Sequence, residues 1–138
     1  MCSSDLAERI RTRLPIDQMI PAAGQGALGI EVRESASELR VQLARLTDPP
    51  TWLAVHAERA VSRALGGSCS MPLAAHAVWL GGQLVLHAAL GHPEHTERPL
   101  LRASAQGVPA DSAAAAALGE QAAARLRELG AVAYLAAA

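Results

Sequence analysis

The chain has 138 residues, a length that supports one ordinary domain with its own hydrophobic core. Its formal net charge is −1, there is no basic block of the kind that binds nucleic acid, and no apolar run is long enough to cross a bilayer. Two cysteines are too few for a disulfide framework, so we expect a cytoplasmic protein.

The N-terminal residues differ in character from the rest of the chain. Residues 1–6 match the peptide encoded by a common sequencing adapter, and we expect them to be non-native, with no role for Cys2. An ordinary N-terminus is the alternative. Residues 7–14 predict a short arginine-rich helix that Pro15 ends. Its arginines could bind an anionic substrate, although a solvated face is the favoured interpretation. These arginines are Arg9, Arg11 and Arg13.

A glycine motif follows. Gly24, Gly26 and Gly29 have the spacing of a dinucleotide-binding fingerprint, which requires a helix to begin within the motif. Residues 27–33 instead alternate like a strand, and Pro21 interrupts the segment before the motif. The pattern therefore favours a glycine-rich hinge, from which Gln25 could face a cleft.

Two helices are predicted next. Residues 35–46 carry leucines at helical spacing, and Asp48 with the two following prolines can begin the second helix. The second helix, residues 53–65, has an apolar stripe from which Glu58 and Arg59 are expected to point away, as a solvated pair. The stripe consists of Leu53, Ala57, Val61, Ala64 and Leu65.

The stretch from Leu65 to Ala74 places one cysteine, Cys69, among small residues between a helical run and a strand-like run. A loop of this kind suits a nucleophile or a covalent attachment point, and a buried structural cysteine is the alternative. Because Cys69 follows a helix C-terminus, whose partial charge is negative, we expect no strongly activated thiolate.

The remaining pattern predicts a small α+β domain, with a three-stranded antiparallel sheet covered by helices. Gly81 and Gly82 join two strands, residues 73–80 and 83–90, as a hairpin. Residues 99–106 form the third strand, and residues 111–129 form a helix that Gly130 ends.

Histidines could indicate a metal site, but the pattern argues against one. His92 and His95 lie near Glu94 and Glu97, yet the spacing matches no closed set of ligands and there is no cysteine partner. The isolated histidines are expected to be structural or exposed. These are His56, His76 and His87.

Two stretches resemble one known family. The run from Glu58 to Ala74, with Gly67, Cys69 and Pro72 in it, closely resembles the cofactor-attachment signature of hydroxymethylbilane synthase, also called porphobilinogen deaminase. The run from Pro21 to Glu31 resembles the segment that precedes this signature in the same family. Ser68 stands where most members of the family have glycine, and another small residue is compatible with that position. Met71 stands where a β-branched residue is usual, which loosens a packing contact and leaves the chemistry unchanged.

The resemblance implies a transferase that joins four porphobilinogen units into hydroxymethylbilane, with loss of ammonia. It also implies a dipyrromethane cofactor held by a thioether to Cys69, and an enzyme that works as a monomer. The catalytic aspartate and most substrate-binding arginines of the family belong to earlier domains. We therefore expect no catalytic residue in this chain, no metal, and no activity of the chain alone.

The resemblance also implies a domain order. Residues 7–26 would be the end of the second domain and a hinge, and residues 27–47 a strand and helix that return to a missing first domain. Residues 48–138 would be the cofactor-attachment domain, the third of the family. Two other classes remain open: a non-catalytic α+β binding or regulatory module with a structural Cys69, and part of a nucleotide-binding oxidoreductase.

Overall fold

A computed structural model describes residues 4–67 and 71–136 of the chain. A 3₁₀ helix at Ser4–Arg9 comes first. The helices are α1 (Ser37–Ala44), α2 (Pro49–Ala64), α3 (Ser112–Glu128) and α4 (Ala131–Leu135). The strands are β1 (Leu73–Leu80), β2 (Gln83–Leu90) and β3 (Leu101–Gly107). The predicted α+β class with a three-stranded antiparallel sheet is confirmed.

The strands form a meander in the order β1-β2-β3, and both neighbouring pairs are antiparallel. The two-glycine turn predicted at Gly81 and Gly82 joins β1 to β2, and both glycines have positive φ. The register places Leu86 opposite Ala77 on one side and Ala105 on the other. Because side chains alternate along a strand, these residues share the face that is buried.

Helices α2 and α3 cover that buried face and pack against each other. Their approach is close at Gly119, where an added Cβ would lie 2.6 Å from the Ala60 Cβ and would collide with the Ala57 carbonyl oxygen. The chain has no phenylalanine, and Tyr134 is the one aromatic residue of the buried core cluster in the described chain. The largest fully buried side chains of this core are those of Val61, Leu84, Leu86, Leu90 and Leu126.

The helix ends follow the sequence signals. Asp48 caps α2 by accepting the Thr51 N–H at 3.0 Å, and Asp111 caps α3 by accepting the Ala114 N–H at 2.8 Å. Hydrogen bonds from Thr51 hold the pKa of Asp48 below its usual value. After α2, Gly66 takes a φ of 72°, as the glycine pair predicted.

The segment before α2 departs from the predictions. The helix expected at residues 7–14 is replaced by the 3₁₀ helix, which ends at Arg9. Residues 27–33 form no strand, because a strand needs a neighbour with which to exchange backbone hydrogen bonds and the described chain offers none there. Helix α1 is present but buries no residue, so its leucines do not form the expected core stripe.

Candidate functional site

Cys69 lies outside the described residues, and its predicted loop and cleft stay predictions. Gly67 and Pro72, which flank it, are hydrogen-bonded to neighbouring elements. Gly67 donates its N–H to the Ser62 carbonyl at 2.8 Å, which ties this side to the last turn of α2. Pro72 accepts the Gly91 N–H at 2.9 Å, which ties the other side to the end of β2. The segment that carries Cys69 is therefore anchored at both ends by main-chain hydrogen bonds.

The C-terminal end of α2, which leads to this segment, has a cationic cap from another helix. The Arg127 guanidinium of α3 donates to the Ala64 carbonyl oxygen. Arg63 adds a second positive charge in the last turn of α2. Positive charge offsets the negative end of a helix dipole. These two arginines therefore weaken the expectation that the negative end of the α2 dipole disfavours a thiolate at Cys69.

Glu58 is the main correction to the sequence analysis. It was expected to be solvated, yet it is only 4% exposed, whereas its neighbour Arg59 is exposed as expected. One carboxylate oxygen accepts the Ala77 N–H at 2.8 Å, and the other accepts the Gly24 N–H at 2.6 Å. The His76 Nδ1 lies 3.4 Å from the first oxygen. The carboxylate thus joins α2 to β1 and to the glycine motif.

The helical spacing contains the signal for this burial. Glu58 follows buried Ala54 by four residues and precedes buried Val61 by three, so it lies on the same stripe as they do. Its charge argued for a solvated position. The partners that make burial of that charge tolerable lie 19 and 34 residues away and could not be identified from local sequence.

The glycine motif forms a turn rather than the start of a helix. Residues 23–26 form consecutive turns in which Gly24 and Gly26 have φ values of 77° and 90°. No helix begins between Gly26 and Gly29, which removes the basis for a nucleotide-binding fingerprint. The Gln25 side chain accepts the Ala22 N–H at 3.0 Å, so it closes its own turn.

Residues 17–26, here called the crossing segment, run from β3 to the free edge of β1. The Arg102 guanidinium of β3 donates to the Asp17 carbonyl at 3.3 Å, and the Pro21 carbonyl accepts the Ala75 N–H at 3.1 Å. A smaller cavity of about 170 Å³ lies beside this segment, and Pro72 and Ala74 contribute to its wall. The crossing segment therefore passes close to the residues that follow Cys69.

A larger groove of about 580 Å³ lies where β2 and β3 meet the end of α3. Its charged residues are Arg102, Arg125 and Glu128, with His87 beside them. Arg102 is held by the Asp17 carbonyl, and Arg125 donates to the Ser104 carbonyl. The arginines predicted as an alternative anion site, Arg9, Arg11 and Arg13, are all exposed and do not line this groove.

The histidine cluster considered as a metal site is organised around one ring. His92 is buried, and its Nδ1 accepts the backbone N–H groups of Glu94 at 3.2 Å and His95 at 3.0 Å. His95 instead lies 3.0 Å from Glu97. No group of three or more His, Cys, Asp or Glu side chains suited to a metal ion is found in residues 4–67 and 71–136.

Comparison with known proteins gives matches over nearly the whole chain. Residues 52–128 match the family described as the C-terminal domain of porphobilinogen deaminase. Residues 3–41 match the family described as the dipyrromethane cofactor binding domain of porphobilinogen deaminase. In the described part of the chain, we find no helix of the length and hydropathy that a membrane crossing needs.

Curated relatives agree with these matches. A porphobilinogen deaminase of Albidiferax ferrireducens is 51% identical over 122 residues, which are 88% of this chain. Porphobilinogen deaminases of Burkholderia mallei and Burkholderia pseudomallei are each 49% identical over 126 residues, or 91% of this chain. In each case the chain spans 38% of the length of the relative.

Proposed function

Because the chain belongs to the porphobilinogen deaminase family, we propose that it is the C-terminal part of a transferase of tetrapyrrole biosynthesis. The whole enzyme joins four porphobilinogen units into hydroxymethylbilane and releases ammonia. The observation that carries the proposal is the family match over residues 52–128, which contains the Cys69 segment. The chain spans 38% of its relatives, so the activity is proposed for a longer protein that includes it.

Cys69 is the proposed attachment point of the dipyrromethane, through a thioether. When bound, this group supplies the primer onto which substrate units are added. A thiol suits the linkage because sulfur is a good soft nucleophile, and a pyrrole methylene that has lost ammonia is a soft electrophile. Gly66, which takes a positive φ after α2, and the main-chain hydrogen bonds of Gly67 and Pro72 on the two sides of the segment support a cysteine held in a defined place.

The domain order completes the proposal. Residues 7–26 end the second domain and form the hinge, residues 27–47 belong with the first domain, and residues 48–138 form the cofactor-attachment domain. The large exposed apolar side chains of residues 27–47 support this division. They are Leu28, Ile30, Leu39, Val41 and Leu46. We further propose a cytoplasmic monomer that acts on porphobilinogen and not on nucleic acid, in keeping with the net charge of −1.

The test replaces the proposed nucleophile in a completed enzyme. Residues 7–138 are fused to the N-terminal part of the Albidiferax relative, and Cys69→Ser is compared with the wild type by intact mass and turnover. We expect the wild type to carry the added mass of two pyrrole units at Cys69. We expect Cys69→Ser to lose this mass and its activity, because a neutral hydroxyl is a much weaker nucleophile.

Glu120→Gln, at an exposed position of α3, is the control and should change neither readout. A wild-type fusion that is active but unmodified at Cys69 would contradict the assignment. That outcome would favour a non-catalytic module in which Cys69 is structural. The chain without the added N-terminal part should be inactive with either residue at position 69.

A further inference from the structure

The buried carboxylate of Glu58 is held by hydrogen bonds rather than by an ion pair with an arginine. Burial of a charged carboxylate is costly unless its oxygens are satisfied, and each oxygen here has a backbone N–H donor at 2.8 Å or less. The nearby His76 Nδ1, at 3.4 Å, adds a weaker contact. Both short bonds are of the charge-assisted kind, which is stronger than a bond between neutral groups.

The two donors belong to parts of the chain that are far apart in sequence. The Ala77 N–H lies on the free edge of β1, and the Gly24 N–H lies in the turn of the crossing segment. Two residues earlier on the same edge, the Ala75 N–H donates to the Pro21 carbonyl. Residues 21–24 therefore follow the edge of β1, and Glu58 completes the contact where the turn begins.

We propose that Glu58 is a positioning residue that latches the glycine turn, residues 23–26, onto the edge of β1. Helix α2 carries Glu58 and ends just before the Cys69 segment, and β1 carries Ala77 and begins just after it. The latch therefore fixes the turn relative to both elements that hold Cys69. The expected effect of the latch on turnover rests on the proposed function. The latch itself can be tested by hydrogen exchange, which requires no enzymatic activity.

The first experiment measures amide hydrogen exchange by NMR in the full 138-residue chain. In Glu58→Gln, the amide keeps one acceptor oxygen and replaces the other with an NH₂ group, so one backbone N–H loses its acceptor. We expect exchange to become about 10- to 100-fold faster at Gly24 or at Ala77, whichever N–H loses its acceptor, the range for loss of a charge-assisted hydrogen bond. Glu120→Gln, the same change at an exposed position of α3, should leave it unchanged. Unchanged exchange in Glu58→Gln would overturn the latch.

A second variant leaves the Glu58 side chain in place and covers the case in which Glu58→Gln fails to fold. Gly24→Ala puts a side chain on a residue with φ of 77°, a conformation that strains alanine, although the added Cβ itself would meet no neighbouring atom. We expect faster exchange at residue 24 while Leu86 in the core stays protected. Gly29→Ala is the control, because Gly29 has open space and no left-handed φ. Equal exchange in both variants would contradict the proposal.

The last experiment uses the completed enzyme and separates the latch from the cofactor. We expect Glu58→Gln to retain the added mass at Cys69 and to lower kcat by about 10- to 100-fold, the scale of a small misplacement of reacting groups, with KM little changed. Glu120→Gln should behave as the wild type. Wild-type kcat in Glu58→Gln would overturn the positioning role and leave the proposed function standing. If the wild-type enzyme carried no added mass at Cys69, the proposed function would be overturned. The latch would still be tested by the amide hydrogen exchange of the first experiment.

Discussion

At the scale of single residues, two buried polar side chains show how the described core accommodates polar groups. Glu58 is satisfied by two backbone N–H groups, and His92 accepts two more through its Nδ1. A buried acceptor of this kind organises main chain that would otherwise lack partners. The main chain that His92 organises is the loop after β2. Tyr134 also holds this loop, by donating its hydroxyl to the Pro99 carbonyl at 2.9 Å.

His92 should make stability depend on pH. Burial first, and then the charges of Arg98 and His95, lower the pKa of His92, while Glu94 and Glu97 oppose them more weakly. The unfolded chain therefore binds the proton more readily than the folded one does. The stabilisation is complete above the unfolded pKa of about 6.5 and is lost as pH falls below it toward the folded value. We expect the midpoint temperature of thermal unfolding to decrease as the pH is lowered from about 7 to about 5.

His92→Gln should remove most of that decrease when thermal unfolding is followed by circular dichroism at several pH values. His56→Gln is the comparison, because the His56 ring packs against Trp52 at 4.4 Å and is not the buried acceptor of the loop. The interpretation fails if His92→Gln and the wild type lose stability in parallel over this range.

At the scale of elements, the contact between α2 and α3 depends on one glycine. A Cβ at Gly119 would collide with the Ala57 carbonyl and approach the Ala60 Cβ to 2.6 Å, and neither is a flexible side-chain end. Alanine normally stabilises a helix relative to glycine. Here the helices must move apart, and we expect Gly119→Ala to lower the free energy of unfolding by about 1–3 kcal/mol, as overpacking does.

Urea unfolding followed by circular dichroism measures this change. The matched substitution is Gly29→Ala, where the added Cβ meets no atom within 4 Å, and it should leave stability nearly unchanged. A Gly119→Ala protein as stable as the wild type would show that the two helices separate at little cost.

At the scale of the whole molecule, the described chain has a packed part and an unpacked part. Every residue of the hydrophobic core cluster lies between Ala54 and Tyr134. Before α2, the crossing segment is held by hydrogen bonds and by Ala23, which packs against the core, while Leu28 is 91% exposed and Val41 64% exposed. This contrast agrees with the proposed division at residue 48.

Limited digestion with trypsin should reveal this division. We expect the first cuts after exposed arginines of the unpacked part, such as Arg33, Arg40 and Arg45, because unpacked chain opens at little cost. Arg98, although exposed in a loop, precedes Pro99, which blocks trypsin.

Mass spectrometry should then find a persistent product that begins at Leu46, whereas the urea-unfolded chain should be cut throughout. Early cuts after Arg59 or Arg102, within α2 or β3, would show that the packed part is not the more stable one.

The sequence by itself determined the features that depend on neighbouring residues. Strand alternation and the two-glycine turn specified the meander, Asp48 and Asp111 marked helix starts, and the Cys69 motif identified the family. These signals are local, because a turn, a cap or a short motif is complete within a few residues.

Only the tertiary structure decided the role of Glu58 and the conformation of residues 27–33. Charge suggested that Glu58 was solvated, but Gly24 and Ala77, distant in sequence, supply the donors that satisfy it when buried. Alternation suggested a strand at residues 27–33, but a strand forms only beside a partner. Both outcomes depend on which distant groups come into contact, and a pattern of neighbouring residues does not contain that information.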